Sequence, residues 1–280
     1  MNQGINIDLH THSNCSDGSL RPAELVTRAA AAHVEVLALT DHDTTAGLGE
    51  ARRCAAESGI EFVAGVEISA SWRAQSIHVL GLWIDPDSPG LRSALLGQAE
   101  QRVLRMRKIC ARLTRLNLPG DRLLADVEAL PGVPTRTHLA QALVTSGVVR
   151  CRQDAFRKFL GRGRAAHVAA EWPSIAVVVG WITAAGGIAS LAHPARYGLS
   201  GGARRGLLTD FAAAGGRAIE VVSGSGAADH IDACAQLAVE FGFEGSVGSD
   251  FHDPQLVWNP LGRLAKLPDC VTPVWRSRPQ

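Results

Sequence analysis

Lysine is nearly missing from this chain. Only Lys108, Lys158 and Lys266 occur among 280 residues, so arginine carries almost all of the positive charge. Aromatic residues make up only 5% and there is a single tyrosine, which argues against a long stacking platform for single-stranded nucleic acid. The six cysteines (15, 54, 110, 151, 234, 270) form no Cys-x-x-Cys pair, so neither a zinc ribbon nor a disulfide framework is expected. No apolar run approaches the roughly 18–20 residues of a membrane span. The first residues lack a basic start followed by an apolar core, so no secretory signal is expected and the cytoplasm is the expected compartment. Gly201-Gly202 and Gly215-Gly216 are followed by no Lys-Ser/Thr, which makes them turn glycines rather than phosphate loops. Ser225, between Gly224 and Gly226, lacks the context of a nucleophile elbow.

What is present is a globular composition, 46% hydrophobic and 20% charged. Short β-rich runs alternate with alanine-rich helical stretches. Strands are expected at 5–9, 34–40, 62–68, 77–83, 188–192, 218–222 and 245–248. A helix is expected at 21–32, capped by Ser19 with Pro22 in its first turn, and another at 46–57, stopped by Gly59. Seven strands with helices between them argue for a parallel, barrel-like α/β domain. Residues 97–164 differ in kind. Val103, Met106, Cys110, Leu113 and Leu116 recur at helical spacing, with Arg102, Arg105, Lys108, Arg112 and Arg115 between them, and more helical signal follows. This stretch holds 14 of the 28 Lys and Arg but 5 of the 27 Asp and Glu, a net +9 that leaves −8 for the remainder. The expected organisation is a barrel from 1–96 and 165–280, with a basic helical insertion domain at 97–164. Most of the basic residues are expected to solvate helix faces, yet the asymmetry suits a polyanionic substrate.

Side chains that bind metals collect where strands end. His10 and His12 close the first strand, and period-two geometry sends both to one face. Asp17 follows in the loop. Asp41 and His42 close the second strand, Glu67 the third, His193 a later one, and Asp250 and His252 the last; His78 lies in the fourth. A β/α barrel gathers its functional residues at the C-terminal rim of its strands. Six of the ten histidines belong to this set, which packing alone does not account for. His33, His167 and His230 fall outside the pattern and are expected to be structural, as are Trp172, Trp181 and Trp258. Nine ligands exceed what one ion takes, and mixed imidazoles and carboxylates suit zinc, manganese or iron. Two or three divalent ions would supply a metal-bound hydroxide as nucleophile and neutralise phosphoryl oxygens.

The set His10-x-His12, Asp17-Gly18, Thr40-Asp41-His42-Asp43, Glu67, His78, His193-Pro194 and Ser249-Asp250-x-His252 resembles the PHP (polymerase and histidinol phosphatase) family of phosphoesterases. The resemblance runs from Ile5 to His252. It implies a distorted (β/α)7 barrel and a trinuclear site. One ion would take His10, His12, Glu67 and Asp250, a second Asp17, His42 and His252, and a third Glu67, His78 and His193, with Glu67 bridging. Some members carry His at the Asp17 position; Asp is the harder ligand and tilts the expectation towards manganese, with zinc or iron as alternatives. Asp41 is expected to orient a histidine from behind the ligands. The segment Pro134–His138 and the stretch His193–Tyr197 resemble a subgroup of nucleotide phosphatases and exoribonucleases. That subgroup implies hydrolysis of the 3′-phosphate of 3′,5′-nucleoside bisphosphates, or alternatively 5′-to-3′ trimming of short RNA. It also places Arg136 and Arg196 as a phosphate clamp, while His138 is expected to be either a substrate contact or a residue supporting the ligands from behind.

Three rivals remain. A histidinol-phosphate phosphatase would not need a +9 insertion. A non-catalytic metal-binding relic would be expected to have lost ligands, and all nine positions are filled. A metal-dependent amidohydrolase would require a lysine ligand, and none of the three lysines stands at an expected strand end. No obligate protein partner and no membrane association is indicated. The residues leave open the native metal, the group that protonates the leaving alcohol and the oligomeric state.

Overall fold

The structure, a computed structural model, describes residues 5–73, 75–224, 226–256 and 259–278. The expectations placed on Ser225 and Trp258 lie outside these residues. Seven strands, β1 (Ile7–Asp8), β2 (Val36–Leu39), β3 (Glu61–Trp72), β4 (Gln75–Leu82), β5 (Ile188–Leu191), β6 (Ala218–Ser223) and β7 (Glu244–Gly248), form one sheet in chain order. Leu9 N–H donates to the Val247 carbonyl at 2.9 Å and Thr11 bridges Phe251, so the two ends of the sheet meet as a nearly closed barrel. The first strand is shorter than expected because beyond Asp8 its backbone turns to these partners.

The barrel is not wholly parallel, which corrects the expectation from alternation. β4 runs antiparallel to both β3 and β5. Only residues 73 and 74 separate β3 from β4. A parallel return needs a crossover of a dozen or so residues, so a hairpin is the one connection this spacing allows. Strand β3 is also longer than expected, because its outer half pairs with β4 beyond the barrel rim.

Helices α1 (Pro22–Ala31), α2 (Leu48–Ser58), α7 (Ile175–Ala184), α8 (Gly201–Ala213) and α9 (Ala228–Phe241) lie against the sheet. They bury Leu25, Val26, Ala55, Val178, Ile182, Leu207 and Phe211 in the main core. Ser19 does not cap α1. Its N–H donates to the His252 carbonyl (2.7 Å), and the Arg21 N–H at the cap position is taken by Glu24 instead (2.9 Å). Gly59 ends α2 in the left-handed conformation (φ 70°).

Helix α3 (Pro89–Arg115) runs through position 97 without a break, so the barrel and the basic segment share one 27-residue helix. With α4 (Gly120–Glu128), α5 (Arg136–Thr145) and the turns α6 (Arg152–Ala155) and Phe156–Leu160, it encloses a second apolar cluster built on Met106, Ile109, Leu113, Leu123, Leu139 and Leu143. The buried face of α3 differs from the expected stripe. Leu116 is 40% exposed, whereas Arg102 is buried with Gln98. Both of these polar residues are held on that face by the loop that follows β2.

Candidate metal centre

All nine residues expected as ligands converge inside one rim of the barrel. His10 and His12 leave the end of β1, His42 the end of β2, His193 the end of β5, and Asp250 and His252 the end of β7. Glu67 lies within β3, bridged to His42, and His78 comes from β4 opposite Ser69. Ligand atoms form three groups, each within 4.8 Å: His12, Asp17, His42 and His252; His10, His12 and Glu67; His42, Glu67 and His78. Asp250 Oδ1 lies 3.4 and 3.3 Å from Nε2 of His10 and His12, and His193 Nε2 lies 3.0 Å from Glu67. His33, His167 and His230 join none of these groups among the described residues.

Glu67 is the hub. Its Oε1 lies 2.9 Å from His78 Nδ1 and 3.0 Å from His193 Nε2, while Oε2 faces His42 Nδ1 at 2.9 Å and the Nε2 atoms of His12 and His10 at 3.3 and 3.4 Å. His10 Nδ1 donates to Glu220 Oε1 (3.1 Å), which leaves a lone pair on Nε2. Ser16 gives its hydroxyl proton to Asp41 (2.6 Å) and faces His12 Nδ1 at 3.4 Å, which leaves the lone pair of His12 on Nε2 as well. The two Nε2 atoms are 3.1 Å apart, so at most one of them carries a proton. Buried Asp17 Oδ1, His42 Nδ1, Glu67 Oε2 and His193 Nδ1 have no hydrogen-bond partner, although His42 Nδ1 and Glu67 Oε2 are close enough for one. Buried polar atoms are ordinarily satisfied. Converging unsatisfied lone pairs fit cations placed among them, and an N/O donor set of this kind suits divalent ions.

The electrostatics agree. Burial opposes charge on Glu67, Asp17 and Asp250, yet the surrounding imidazoles hold all three carboxyls well below the usual range. Burial likewise opposes charge on His10, but Glu220, Glu67 and Asp250 raise it well above an ordinary imidazole. At His252 Asp17 and Asp250 prevail over burial and lift it to about 10. His12 goes the other way, to about 3, through burial and the nearby His252. Three buried carboxylates thus demand positive charge at their centre.

Backbone strain marks the same place. His193 (φ 31°), Asp250 (φ 54°) and Asp43 (φ 50°) are non-glycine residues in the left-handed region, all next to or within the ligand set.

Behind the ligands stand residues that, Asp41 apart, the sequence did not single out for this role. Glu220 in β6 holds His10 with one oxygen and accepts the His193 N–H with the other (2.6 Å). Gly248 makes room for this pair, since a Cβ there would lie 2.2 Å from His10 Cβ. Asp8 accepts the Ser249 N–H (2.8 Å) and the Gly262 N–H (3.2 Å), fixing the loop that carries Asp250. Tyr197 accepts the His78 N–H (2.8 Å) and donates to the Ala192 carbonyl (2.9 Å), with its ring against His193. Asp41, 1% exposed, accepts from Ser13 N (2.7 Å), Ser13 Oγ (2.6 Å) and Ser16 Oγ, and so reaches His12 through Ser16.

The two arginines expected to clamp phosphate approach from different sides. Arg136, the first residue of α5, lines a cavity of about 120 Å3 with Asp17, His42, His78, Arg102, Arg105 and Trp172. Its guanidinium lies over the Phe156 ring at 5.7 Å and is half-buried. Arg196 instead pairs with Asp250 Oδ2. Trp172 is buried, as packing requires, and Arg102 and Arg105 lie over its indole at 5.3 and 5.7 Å. His138 Nδ1 accepts the Thr135 N–H (3.2 Å), and the ring lies beside the Ser16 backbone. No helix among the described residues is long and apolar enough to cross a membrane.

Comparison with known proteins adds names to this geometry. The profile of the PHP domain matches residues 8–117. A 3′,5′-nucleoside bisphosphate phosphatase of Chromobacterium violaceum is 43% identical over 274 residues, 97% of this chain and 96% of that protein. A 5′-3′ exoribonuclease of Haemophilus influenzae is 44% identical over 274 residues, 96% of this chain and 98% of that protein. Among solved structures, an amidohydrolase from Chromobacterium violaceum with bound sulfate and no metal superposes with a TM-score of 0.92 at 42% identity, covering 97% of this chain and 95% of that one. The lysine ligand expected of an amidohydrolase is not found in this site. Lys108, Lys158 and Lys266 are all exposed, and none lines the cavity beside the ligands.

Proposed function

Because the chain belongs to the PHP domain family, we propose that it is a metal-dependent phosphoesterase that removes the 3′-phosphate of 3′,5′-nucleoside bisphosphates, leaving the 5′-mononucleotide. One observation carries the reading: Glu67 Oε2, buried without a hydrogen-bond partner beside the His10 and His12 Nε2 atoms, lies behind a cavity lined by His42, His78 and arginine. In this reading three divalent ions would be held by His10, His12, Glu67 and Asp250, by Asp17, His42 and His252, and by Glu67, His78 and His193. Manganese is the first choice, with zinc and iron as alternatives. When bound, such ions acidify a water to serve as nucleophile near neutral pH and neutralise phosphoryl oxygens.

The protein's own residues do the remaining work. Glu220 fixes the proton of His10 on Nδ1, keeping Nε2 free for coordination. Arg136 offers its guanidinium fork to phosphate oxygens from the insertion side. Arg196, tied to Asp250, presents charge from the opposite side. His138 stands at the edge of the substrate cavity and adjoins the Asp17 loop. The basic segment 97–164 acts as a helical insertion domain that completes the pocket and draws polyanions towards it. The cytoplasm is the proposed compartment; six free thiols, with Cys151 and Cys270 exposed, suit reducing surroundings.

Exoribonuclease action on short RNA is the second reading, favoured by the Haemophilus influenzae relative. Against a long strand, one face of each aromatic ring in the cavity, Trp172 and Phe156, is already covered by a guanidinium. The deciding assay is phosphate release from adenosine 3′,5′-bisphosphate with manganese, run beside a 5′-phosphorylated RNA oligomer. Rapid release with feeble shortening of the oligomer is expected. Efficient stepwise shortening would favour the exonuclease, and inactivity on both, and on histidinol phosphate, would overturn the phosphoesterase reading.

A further inference from the structure

The loops that carry Asp17 and His42 are gripped from two sides, and one grip comes from the helical segment rather than the barrel. On the barrel side, Asp41 binds Ser13 and Ser16. On the other, Arg102 of α3 donates Nε to Asp43 Oδ2 (2.6 Å) and Nη2 to Ser69 Oγ (2.8 Å). Gln98, one helical turn earlier, donates to Asp43 Oδ1 (3.3 Å) and to the Ser69 carbonyl (2.7 Å). Asp43 is fully enclosed, takes a left-handed backbone and directly follows His42. Its carboxylate therefore depends on α3 for its countercharge.

The second contact lies at the start of α5. Val133 N–H donates to the Cys15 carbonyl (3.0 Å), and at Gly132 (φ 82°) a Cβ would come within 2.3 Å of that oxygen. The His138 ring accepts the Thr135 N–H at Nδ1 (3.2 Å), so its proton sits on Nε2, and the ring lies beside the Ser16 backbone, next to Asp17.

We propose that Arg102 and His138 are positioning residues that clamp the ligand group His12–Asp17–His42–His252, so that the helical segment completes one cation site as well as bordering the substrate. The proposal rests on the metal-centre reading above. Arg102 acts on residue 43 and His138 on residue 16, each the immediate neighbour of a ligand in that one group of four. His10 and His193 are anchored by Glu220 and His78 by Tyr197, barrel residues on the far side from Arg102 and His138.

The test uses the whole chain, stripped with EDTA and titrated with Mn2+, with bound ions counted by elemental analysis and folding followed by circular dichroism. In Arg102→Met and His138→Ala, one manganese equivalent should weaken by about 10–100-fold while the others keep parental affinity. Arg102→Lys should recover part of the loss, and Arg115→Ala, an exposed change on the same helix, should lose nothing. Should Arg102→Met fail to fold, His138→Ala decides the matter, since its half-buried site tolerates truncation better. Full uptake at parental affinity in the folded variants overturns the clamp alone, as does uniform weakening of every equivalent. A parent chain that takes up no manganese overturns the metal centre and the clamp together.

Discussion

Replacing Tyr197 by Phe isolates a single hydroxyl that ties two ligand-bearing strands together. The ring stays against His193, 5.4 Å between centroids, so apolar packing is retained. What is lost is an acceptor for the His78 N–H and a donor to the Ala192 carbonyl, at 2.8 and 2.9 Å. Each buried backbone group left without its partner costs about 1–2 kcal/mol, so the pair should lower stability by about 2–4 kcal/mol. For a chain of this size, about 2 °C per kcal/mol gives a fall of roughly 4–8 °C in Tm. The comparison belongs in EDTA, by guanidinium and thermal unfolding, so that ion binding does not add its own stabilisation. A variant within about 0.5 kcal/mol of the parent would refute the reasoning. It would mean that water or a backbone shift satisfies both groups, and that Tyr197 does not hold His78 and His193 in place.

Glu67→Gln keeps the shape of the hub but removes its charge and turns one oxygen into an N–H donor. Metal content should fall and turnover should drop by at least about 100-fold, and parental ion content with parental activity would rule out a bridging role. Arg136→Ala removes a guanidinium but no ligand. KM for the bisphosphate should rise about 10–100-fold, the equivalent of one charged hydrogen bond, with metal content intact; an unchanged KM would remove Arg136 from the phosphate contacts.

The ligands were legible because all but Asp17 interrupt or closely follow a buried apolar run, a place where packing alone has no use for them. Glu220 gave the same signal, a carboxylate inside Ala218–Val222, but its partner His10 lies 210 positions away and nothing local names it. The turn of the sheet at β4 was hidden because inward–outward alternation is the same in either strand direction. The polar stretch Ser69–Ser76 also looked like a loop rather than paired backbone. Arg102 was misplaced on the solvent face, although it falls in register with Leu95, Met106 and Ile109 on the buried stripe of α3. Periodicity reports which face a residue shares; it does not reveal that the opposing loop brings an aspartate.

The hairpin has a consequence for the order in which the centre is built. Contacts close in sequence form fastest, because little loop entropy must be given up beforehand. Glu67 and His78 are 11 positions apart on paired strands, so this corner can assemble as soon as β3 and β4 have left the ribosome. The seam between the β1 and β7 ends, where Asp250 N–H meets the His10 carbonyl at 2.8 Å, joins residues 240 positions apart and must come last. Synthesis therefore lays down an acidic corner early and seals the basin only at the end. On the reverse path, opening that seam and releasing an ion would be one event, so the lifetime of the bound metal should follow the breathing of a single pair of strand ends.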